Sequence, residues 1–335
     1  MSEVIVSGMR PTGRLHLGNY FGALKTWLEL QKNEECYFFI ADWHALTTHY
    51  DKAGEIADNC VQMLIDWLAL GLDPKECVIF RQSEVPQHAE LHLLLEMITP
   101  ESWLKRNPTY KGAQEQLGKK RTGHIGFLSY PVLQTADVLS YRATAVPVGE
   151  DQRPHLEIGR EIVRRFNHLY GADLPEMKAL IKDVPNLLGL DGRKMSKSYN
   201  NCIYLSDSPA VRKEKIMKAQ TDMGSEPGAE IPEEGPVANL FLMLDLFGAD
   251  EKLEKYQSDY RAGKIQYGYL KQDLAGAVND YFSRYDERRK KLEKNPGQVY
   301  DILDSGRKRA EKKASKTLDY VREKMGLSRG TEVES

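Results

Sequence analysis

Hydrophobic residues in the first half of the chain follow two patterns that alternate along it. Short β-rich runs of strand length lie at 4–6, 36–41, 78–80 and 143–148, and the run at 36–41 is continuously apolar. Between them, apolar residues recur every three or four positions, which is typical of one buried face of a helix. The clearest helical stretch covers 55–70 and ends at Gly71. Because fully apolar strands separated by helices belong in a parallel sheet covered on both faces, the pattern predicts a doubly wound α/β fold.

The strand pattern stops near residue 200, and helical periodicity continues towards the end of the chain. Helices are predicted over 209–220, 251–262, 269–293 and 299–325, with a Gly-, Pro- and Glu-rich stretch at 224–236. The sequence therefore predicts a Rossmann-like doubly wound parallel sheet with a C-terminal α-helical domain. In chain order, the predicted units are a Rossmann-like domain over 1–200 with a helical insertion at about 88–142, a helical domain over 201–328 and a flexible tail over 329–335.

Length and composition are those of an ordinary globular protein of about two domains. The chain has 335 residues, of which 41 % are apolar and 29 % charged, and no apolar run approaches the roughly 18 residues of a membrane span. The four cysteines lack the spacing of a zinc ribbon or a redox pair and fit a reducing cytoplasm, and no secretory signal is visible. With 47 basic and 49 acidic residues, any nucleic acid must bind a local patch. Residues 284–324 offer one, with 14 Lys or Arg against 8 Asp or Glu.

The segment 11–19 joins the first predicted strand to a helix and carries the first candidate site. His16 and Asn19 are three residues apart, so on a helical turn they project from the same face. The helix N-terminus provides free N–H donors that suit a triphosphate. Gly18, which has no Cβ, would let a flat base lie against the backbone. The alternative is an ordinary strand–turn–helix connection with a polar cap.

Two further segments carry chemistry. The string Lys194-Met195-Ser196-Lys197-Ser198 follows Gly189 and Gly192, which can act as hinges. A loop with two ammonium groups could close on a polyphosphate and neutralise the charge that develops on it. The string Gly149-Glu150-Asp151-Gln152 follows the fourth predicted strand, where an acidic side chain could accept a ribose hydroxyl proton. The alternatives are a solvated basic loop and an ordinary turn.

Together these motifs resemble those of the class I aminoacyl-tRNA synthetases. His16-Leu17-Gly18-Asn19 matches the HIGH-type segment of that class, and residues 194–198 match its KMSKS loop, about 175 residues further along. Within the class, the resemblance is to the tryptophanyl-tRNA synthetases, through Ser7–Gly13, Ala41–Ala45, Tyr130–Asp137 and Val148–Gln152. It runs in order from about residue 4 to 325, with Asn19 where the general motif has a second histidine.

The resemblance implies a tryptophan–tRNA ligase that works in two steps. L-Tryptophan and ATP, the latter used with Mg²⁺, would form tryptophanyl-adenylate and pyrophosphate, and the tryptophanyl group would then pass to the 3′ end of tRNA(Trp). The family also implies a cytoplasmic homodimer with the insertion at about 88–142 in its interface. Anticodon recognition would belong to the C-terminal helices. No metal-ligating side chain and no membrane partner are predicted.

The resemblance also assigns site residues position by position. The catalytic set is Lys194, Lys197, Ser196, His16 and Asn19. The ATP-binding set is Arg10, Pro11, Thr12, Gly18, Asn19, Lys111, Gly149, Glu150, Asp151, Leu187, Lys194, Met195, Ser196, Lys197 and Ser198. The tryptophan-binding set is Asp137, Tyr130, Gln134, Gln152, His44 and Val6. Asp137 would accept the hydrogen bond of the indole N–H, which can only donate.

Two residues depart from the pattern common in bacterial tryptophanyl enzymes. Arg10 stands where glutamine is frequent, which affects its nucleotide contacts, and Gln134 stands where methionine is frequent, which alters the indole pocket. The alternative function is that of a tyrosyl-tRNA synthetase, which shares the fold and much of the Leu-Gln-x-Ala-Asp neighbourhood. A small-molecule nucleotidyltransferase and an inactive tRNA-binding paralogue are further alternatives.

Overall fold

The computed structural model describes residues 2–181 and 187–328. Its centre is a five-stranded parallel sheet in the order β3-β2-β1-β4-β5. The strands are β1 Val4–Met9, β2 Glu35–Ile40, β3 Cys77–Arg81, β4 Ala145–Val148 and β5 Lys178–Ile181. The strand order reverses at β1, so the crevice for a ligand lies at the carboxyl ends of β1 and β4. The predicted Rossmann-like doubly wound sheet is confirmed.

Helices cover the sheet and make up most of the remaining chain. In chain order they are Leu17–Asn19, the π-helical Tyr20–Leu24, Lys25–Leu30, Asp42–His49, Ala53–Leu70, Gln87–Glu96, Glu101–Arg106, Pro108–Leu117, Lys119–Thr122, Ile125–Leu128, Tyr130–Leu139, Arg153–Tyr170, Pro209–Met217, Gly235–Leu246, Asp250–Arg261, Tyr267–Tyr281, Ser283–Glu293 and Pro296–Lys324. Short 3₁₀ turns occupy Tyr50–Lys52, Gln82–Glu84, Glu150–Gln152 and Lys197–Tyr199. Among the described residues, no helix has the length and apolar character needed to cross a bilayer.

Alternate residues of strand β2, which lies between β3 and β1, build two cores on opposite faces of the sheet. On one face, Phe38 stacks on Trp27 with ring centroids 4.5 Å apart. On the other face, Tyr37 stacks on Tyr141 with ring centroids 4.3 Å apart. Successive side chains of a strand point to opposite faces, so a strand covered on both sides needs an unbroken apolar run. This is why the run at 36–41 predicted its strand correctly.

The last helix, Pro296–Lys324, packs against strand β3. A Cβ added to Gly306 would overlap the carbonyl oxygen of Ile79, so helix and strand touch backbone to backbone. Nearby, Arg309 donates to the carbonyl oxygens of Pro74 at 2.7 Å and Cys77 at 3.3 Å. The final helix of the predicted C-terminal domain therefore shares the core of the sheet, and the division near residue 200 stays a prediction.

The fifth strand is absent from the sequence prediction. It has four residues at the edge of the sheet, and both its first and last residues, Lys178 and Ile181, are exposed. Its apolar run at 179–181 is only three residues long and contains a single β-branched residue, Ile181, so it resembles a strand less than the runs at 4–6 and 78–80 do.

Two helices of the C-terminal half also differ from the prediction. The helix predicted over 269–293 breaks at Phe282, whose ring is buried against Tyr20 and Phe247. The helix Gly235–Leu246 begins at the end of the Gly-, Pro- and Glu-rich stretch and was not predicted. In both cases tertiary packing of apolar side chains decides the boundary.

Candidate active site

The turn after β1 brings the first motif to the carboxyl edge of the sheet. Gly8 has no room for a side chain, because an added Cβ would overlap the Phe39 ring. Gly13 has φ +110°, a conformation that favours glycine. The helix begins directly after His16, whose N–H donates to the Asn19 side-chain oxygen at 3.0 Å. The turn thereby holds the two polar residues of the motif against each other.

We call residues 194–198 the lysine loop. The chain that follows this loop pairs with the turn. The Leu17 N–H donates to the carbonyl oxygen of Ile203 at 3.1 Å, and the Leu205 N–H donates to that of Leu15 at 2.9 Å. Two motifs that are about 175 residues apart in the sequence are therefore neighbours in the structure.

Lys197 makes a direct contact between the two motifs. Its Nζ donates to the carbonyl oxygen of Thr12 at 3.3 Å. Burial, with a contribution from the Arg10 charge, lowers the pKa of Lys197 to about 8. Burial and the Lys197 charge lower the pKa of His16 to about 4, so the imidazole is neutral at pH 7. The site thus holds an ammonium group in partly dry surroundings beside another cation, where a polyphosphate is a favourable ligand.

The other side chains of the lysine loop differ in exposure, and some face solvent while one is buried in the core. Lys194 is exposed, whereas Met195 is buried in the apolar core beneath the loop. The hydroxyl oxygens of Ser196 and Ser198 lie 2.9 Å apart. Met195 therefore anchors the loop, while Lys194 is accessible to a nucleotide bound at the turn.

Asp137 is buried at the centre of a hydrogen-bond network. Its Oδ2 lies 2.6 Å from His44 Nε2, and its Oδ1 lies 2.6 Å from His88 Nδ1 and accepts from Gln82 Nε2 at 2.8 Å. Burial by itself would raise the pKa of Asp137, but His44 and the hydrogen bond with His88 outweigh it, and the pKa falls to about 2. Asp137 is therefore an ionised acceptor held in a fixed orientation.

A cavity of about 280 Å³ lies next to this network. Three of the predicted ligand-binding residues, Arg10, Tyr130 and Gln152, line it. The Tyr130 ring lies edge-on to His44, with ring centroids 4.4 Å apart, and so connects the cavity to Asp137. The other predicted tryptophan-binding residues, Asp137, Gln134, His44 and Val6, are not among the described residues that line this cavity.

Three buried polar atoms on Asp137's hydrogen-bond partners and on Gln134, one helical turn before it, are unsatisfied. Within residues 2–181 and 187–328, Gln134 Oε1, His44 Nδ1 and Gln82 Oε1 have no hydrogen-bond partner. Buried polar atoms are normally paired, so each such atom in a folded protein needs an explanation. A polar ligand bound against these atoms would supply one.

The remaining predicted nucleotide-binding residues lie around the cavity and the end of β4. Lys111 is exposed, and the neighbouring Tyr110 lines the cavity. Gly149 and Glu150 directly follow β4, as the sequence predicted. The side chain of Asp151 lies outside the described parts of the chain.

Several predicted site residues can contribute only backbone or wall contacts. Val6, Pro11 and Leu187 are buried, so their side chains do not reach solvent. Gly18 is tightly approached, since an added Cβ would lie 3.0 Å from the His16 ring. A side chain at that position would push against the imidazole.

Sequence comparison reveals what the chain is related to. A family profile described as "tRNA synthetases class I (W and Y)" matches residues 2–283. The chain belongs to this family. The tryptophan–tRNA ligase of Aquifex aeolicus is 40 % identical over 397 residues, covering 96 % of this chain and 99 % of the relative. The tryptophan–tRNA ligase of Thermotoga maritima is 43 % identical over 328 residues, again covering 96 % of this chain and 99 % of the relative.

Solved structures show the same relationship. Tryptophanyl-tRNA synthetase from Campylobacter jejuni, complexed with ADP and tryptophan, is 34 % identical with a TM-score of 0.86, over 97 % of this chain and all (100 %) of that one. Tyrosyl-tRNA synthetase from Archaeoglobus fulgidus shares the fold, with a TM-score of 0.65 at 21 % identity, over 86 % of this chain and 90 % of that one. The resemblance drawn from the motifs is confirmed.

Some residues of the site were not predicted from the sequence. Gln82 and His88 hold Asp137, and in the cavity wall Asn107 Nδ2 lies 3.0 Å from His155 Nδ1. Gln82 could have been found from its position directly after β3, because the carboxyl ends of parallel strands meet at one edge of the sheet. His88 lies in a helix and carries no comparable signal.

Proposed function

We propose that the chain is a tryptophan–tRNA ligase, which activates L-tryptophan with ATP and transfers the tryptophanyl group to tRNA(Trp). One observation carries the proposal: the HIGH-type turn and the KMSKS loop meet at the carboxyl edge of a parallel sheet, where Lys197 donates to Thr12 at 3.3 Å. The tryptophan–tRNA ligases of Aquifex aeolicus and Thermotoga maritima support the choice of amino acid, because both match almost the whole chain.

The first step needs alignment and positive charge more than acid–base catalysis. The tryptophan carboxylate is ionised at pH 7, since its unperturbed pKa is ~3.5. A carboxylate oxygen attacks the α-phosphorus, the bond to the oxygen bridging the α- and β-phosphates breaks, and pyrophosphate leaves with that electron pair. Lys194 and Lys197 neutralise the negative charge on the leaving pyrophosphate, with Thr12, Asn19 and Lys111 contributing further contacts.

Mg²⁺ enters with the nucleotide. In the described part of the chain, no group of three or more His, Cys, Asp or Glu side chains is placed to hold a metal ion. The phosphate oxygens of ATP are good Mg²⁺ ligands, so the substrate is the magnesium complex of ATP.

Asp137 selects the amino acid. Its carboxylate is ionised and accepts only, which matches the indole N–H as a pure donor. Tyr130 and Gln152, which line the cavity, hold the ammonium and carboxylate of the amino acid. Phenylalanine has no N–H to donate to this carboxylate, and a site built to hydrogen-bond a substrate N–H rejects an analogue that lacks it by orders of magnitude.

The tRNA binds the basic C-terminal helices through fewer cations than the sequence suggested. Arg289 is sequestered in an ion pair with Asp66, and Arg309 donates to backbone carbonyl oxygens beside β3. These two arginines therefore already have partners within the protein. Lys290, Lys291 and Lys312 are exposed and are the cations proposed to face the RNA backbone.

The protein acts as a homodimer through the insertion at about 88–142. Leu93, Met97 and Ile125 in this segment are 51, 67 and 80 % exposed, and Leu93 and Met97 are four positions apart at the end of one helix, where a second copy of the chain could cover them together. Ile125→Lys should therefore yield monomers in sedimentation experiments. Leu169→Lys, at another exposed leucine, is the matched control and should not change the oligomeric state.

Cytoplasmic localisation is part of the same proposal. All four cysteines are free and buried, as expected in a reducing compartment.

The function is tested by ATP–pyrophosphate exchange with tryptophan, with tyrosine and with no amino acid. Exchange that depends on tryptophan supports the proposal. Exchange that depends on tyrosine identifies the alternative, a tyrosyl-tRNA synthetase, and exchange without an amino acid indicates a nucleotidyltransferase. No exchange under any condition contradicts both the tryptophanyl and the tyrosyl synthetase functions.

A further inference from the structure

The side chain of Asn201 is buried beside the lysine loop and bonds both to the turn before the loop and to the backbone of its first three residues. Its Oδ1 accepts from the Ser196 N–H at 2.8 Å. Its Nδ2 donates to the Asp191 carboxylate at 2.7 Å and to the Lys194 carbonyl oxygen at 3.2 Å. Only 3 % of Asn201 is exposed. One amide therefore joins the turn before the loop to the backbone within it.

The surroundings of Asn201 leave room for little else. An added Cβ at Gly189 would overlap the Asn201 side chain, so the glycine is needed for this close approach. The Leu190 N–H donates to the Asn201 carbonyl oxygen at 3.0 Å, which fixes the backbone of Asn201 as well. The hydrogen bond from Asn201 is the largest cause that lowers the pKa of Asp191 to about 2, and the carboxylate is therefore a permanent acceptor at neutral pH.

An asparagine is chemically required by this set of partners. Two of them, a carboxylate and a carbonyl oxygen, need donors, and the third, an N–H, needs an acceptor. Aspartate would lack the donors and would place a second carboxylate beside Asp191. Alanine would leave the Ser196 N–H and the Lys194 carbonyl oxygen without these bonds.

We propose that Asn201 is a positioning residue that fixes the backbone of the lysine loop so that Lys194 and Lys197 reach the polyphosphate together. The inference rests on the proposed function, in which those two lysines neutralise the leaving pyrophosphate. Asn201 itself touches neither substrate. A backbone displacement of about 1 Å at such a site can cost about 100-fold in rate.

The principal test compares Asn201→Ala with Asn167→Ala. Asn167 is a matched control, because its amide also exchanges two hydrogen bonds with backbone, those of Leu174 at 2.9 Å each, at the end of a different helix. We expect Asn201→Ala to lower kcat of ATP–pyrophosphate exchange by about 100-fold, with KM for tryptophan changed less than about twofold. Asn167→Ala should leave kcat near the wild-type value.

A second variant does not disturb buried structure. Asp191 lies in a turn at the surface, and Asp191→Ala removes one partner of Asn201 without removing any proposed substrate contact. We expect a loss in kcat of about tenfold, and no further loss when Asp191→Ala is added to Asn201→Ala. Additive losses in this double-mutant cycle would overturn the proposed coupling.

Limited trypsin digestion provides a readout that does not depend on activity. Arg193, Lys194 and Lys197 are cleavage sites in or beside the loop, and Asn201→Ala should speed cleavage there by about tenfold. Unchanged cleavage, or a kcat loss no greater than that of Asn167→Ala, would overturn the inference. The proposed function fails separately, if the wild-type protein shows no tryptophan-dependent exchange.

Discussion

Replacing Lys197 by methionine should stabilise the free protein and disable its first reaction. Lys197 has a pKa of about 8 instead of 10.5, which corresponds to roughly 3 kcal/mol of unfavourable free energy for the charged form in the folded state. Part of this cost is relieved when the side chain moves towards water. We therefore expect Lys197→Met to raise the free energy of unfolding at pH 7 by about 1–3 kcal/mol.

The pH dependence gives the sign of the effect. Because the pKa is lower in the folded state, the unfolded chain binds more protons between about pH 8 and 10.5, and the stability of the wild type rises over that range. Methionine cannot titrate, so the advantage of Lys197→Met should be full below pH 8 and should shrink as the pH approaches 10.5.

The assay combines urea unfolding at pH 7 and pH 10 with ATP–pyrophosphate exchange at pH 7. Exchange by Lys197→Met should fall by about 100-fold or more, because an ammonium that stabilises the leaving group is lost. Lys194→Met is the matched control: it should slow exchange with no gain in stability, since Lys194 is exposed. If Lys197→Met is no more stable than the wild type at pH 7, or keeps the same advantage at pH 10, the reasoning is refuted.

The remaining predictions concern pH, specificity and packing. kcat/KM for ATP should fall as the pH rises through about 8, where Lys197 loses its proton in the free enzyme. Lys197→Arg should move this fall to higher pH in rate–pH profiles. An unchanged profile would contradict the role of the Lys197 ammonium in binding the phosphates. Asp137→Asn should lower the preference for tryptophan over phenylalanine in exchange assays by at least about tenfold, whereas unchanged preference would remove Asp137 from selection. Gly306→Ala should destabilise the protein by about 1–3 kcal/mol in urea unfolding, because the new methyl group meets the Ile79 carbonyl oxygen. Ser305→Ala, on the exposed side, is its control and should be nearly neutral; equal stability of the two variants would show that helix and strand are not in contact there.

The fold and the two motifs could be predicted because they depend on local sequence. The apolar run at 36–41 fits only a strand covered on both faces, and β2 lies there. The strings around His16 and Lys197 are contiguous, so they could be recognised before their neighbourhood in space was known.

What the sequence could not predict depends on contacts between distant residues. His88 and Gln82 bond to Asp137 across 49 and 55 positions, and no periodicity relates residues that far apart. Arg289 lies in a basic cluster that is typical of a solvated face, yet its partner Asp66 comes from a helix 223 positions earlier. The role of Asn201 also could not be predicted from the sequence, because it depends on how the lysine loop folds against the Asn201 side chain.

A crystal structure of the protein with a non-hydrolysable ATP analogue and tryptophan tests the central claim most directly. We predict the phosphates between the turn at Thr12–Asn19 and Lys194 and Lys197, with the indole nitrogen within hydrogen-bond distance of Asp137. Phosphates bound away from both lysines, or an indole ring that does not reach Asp137, would contradict the account.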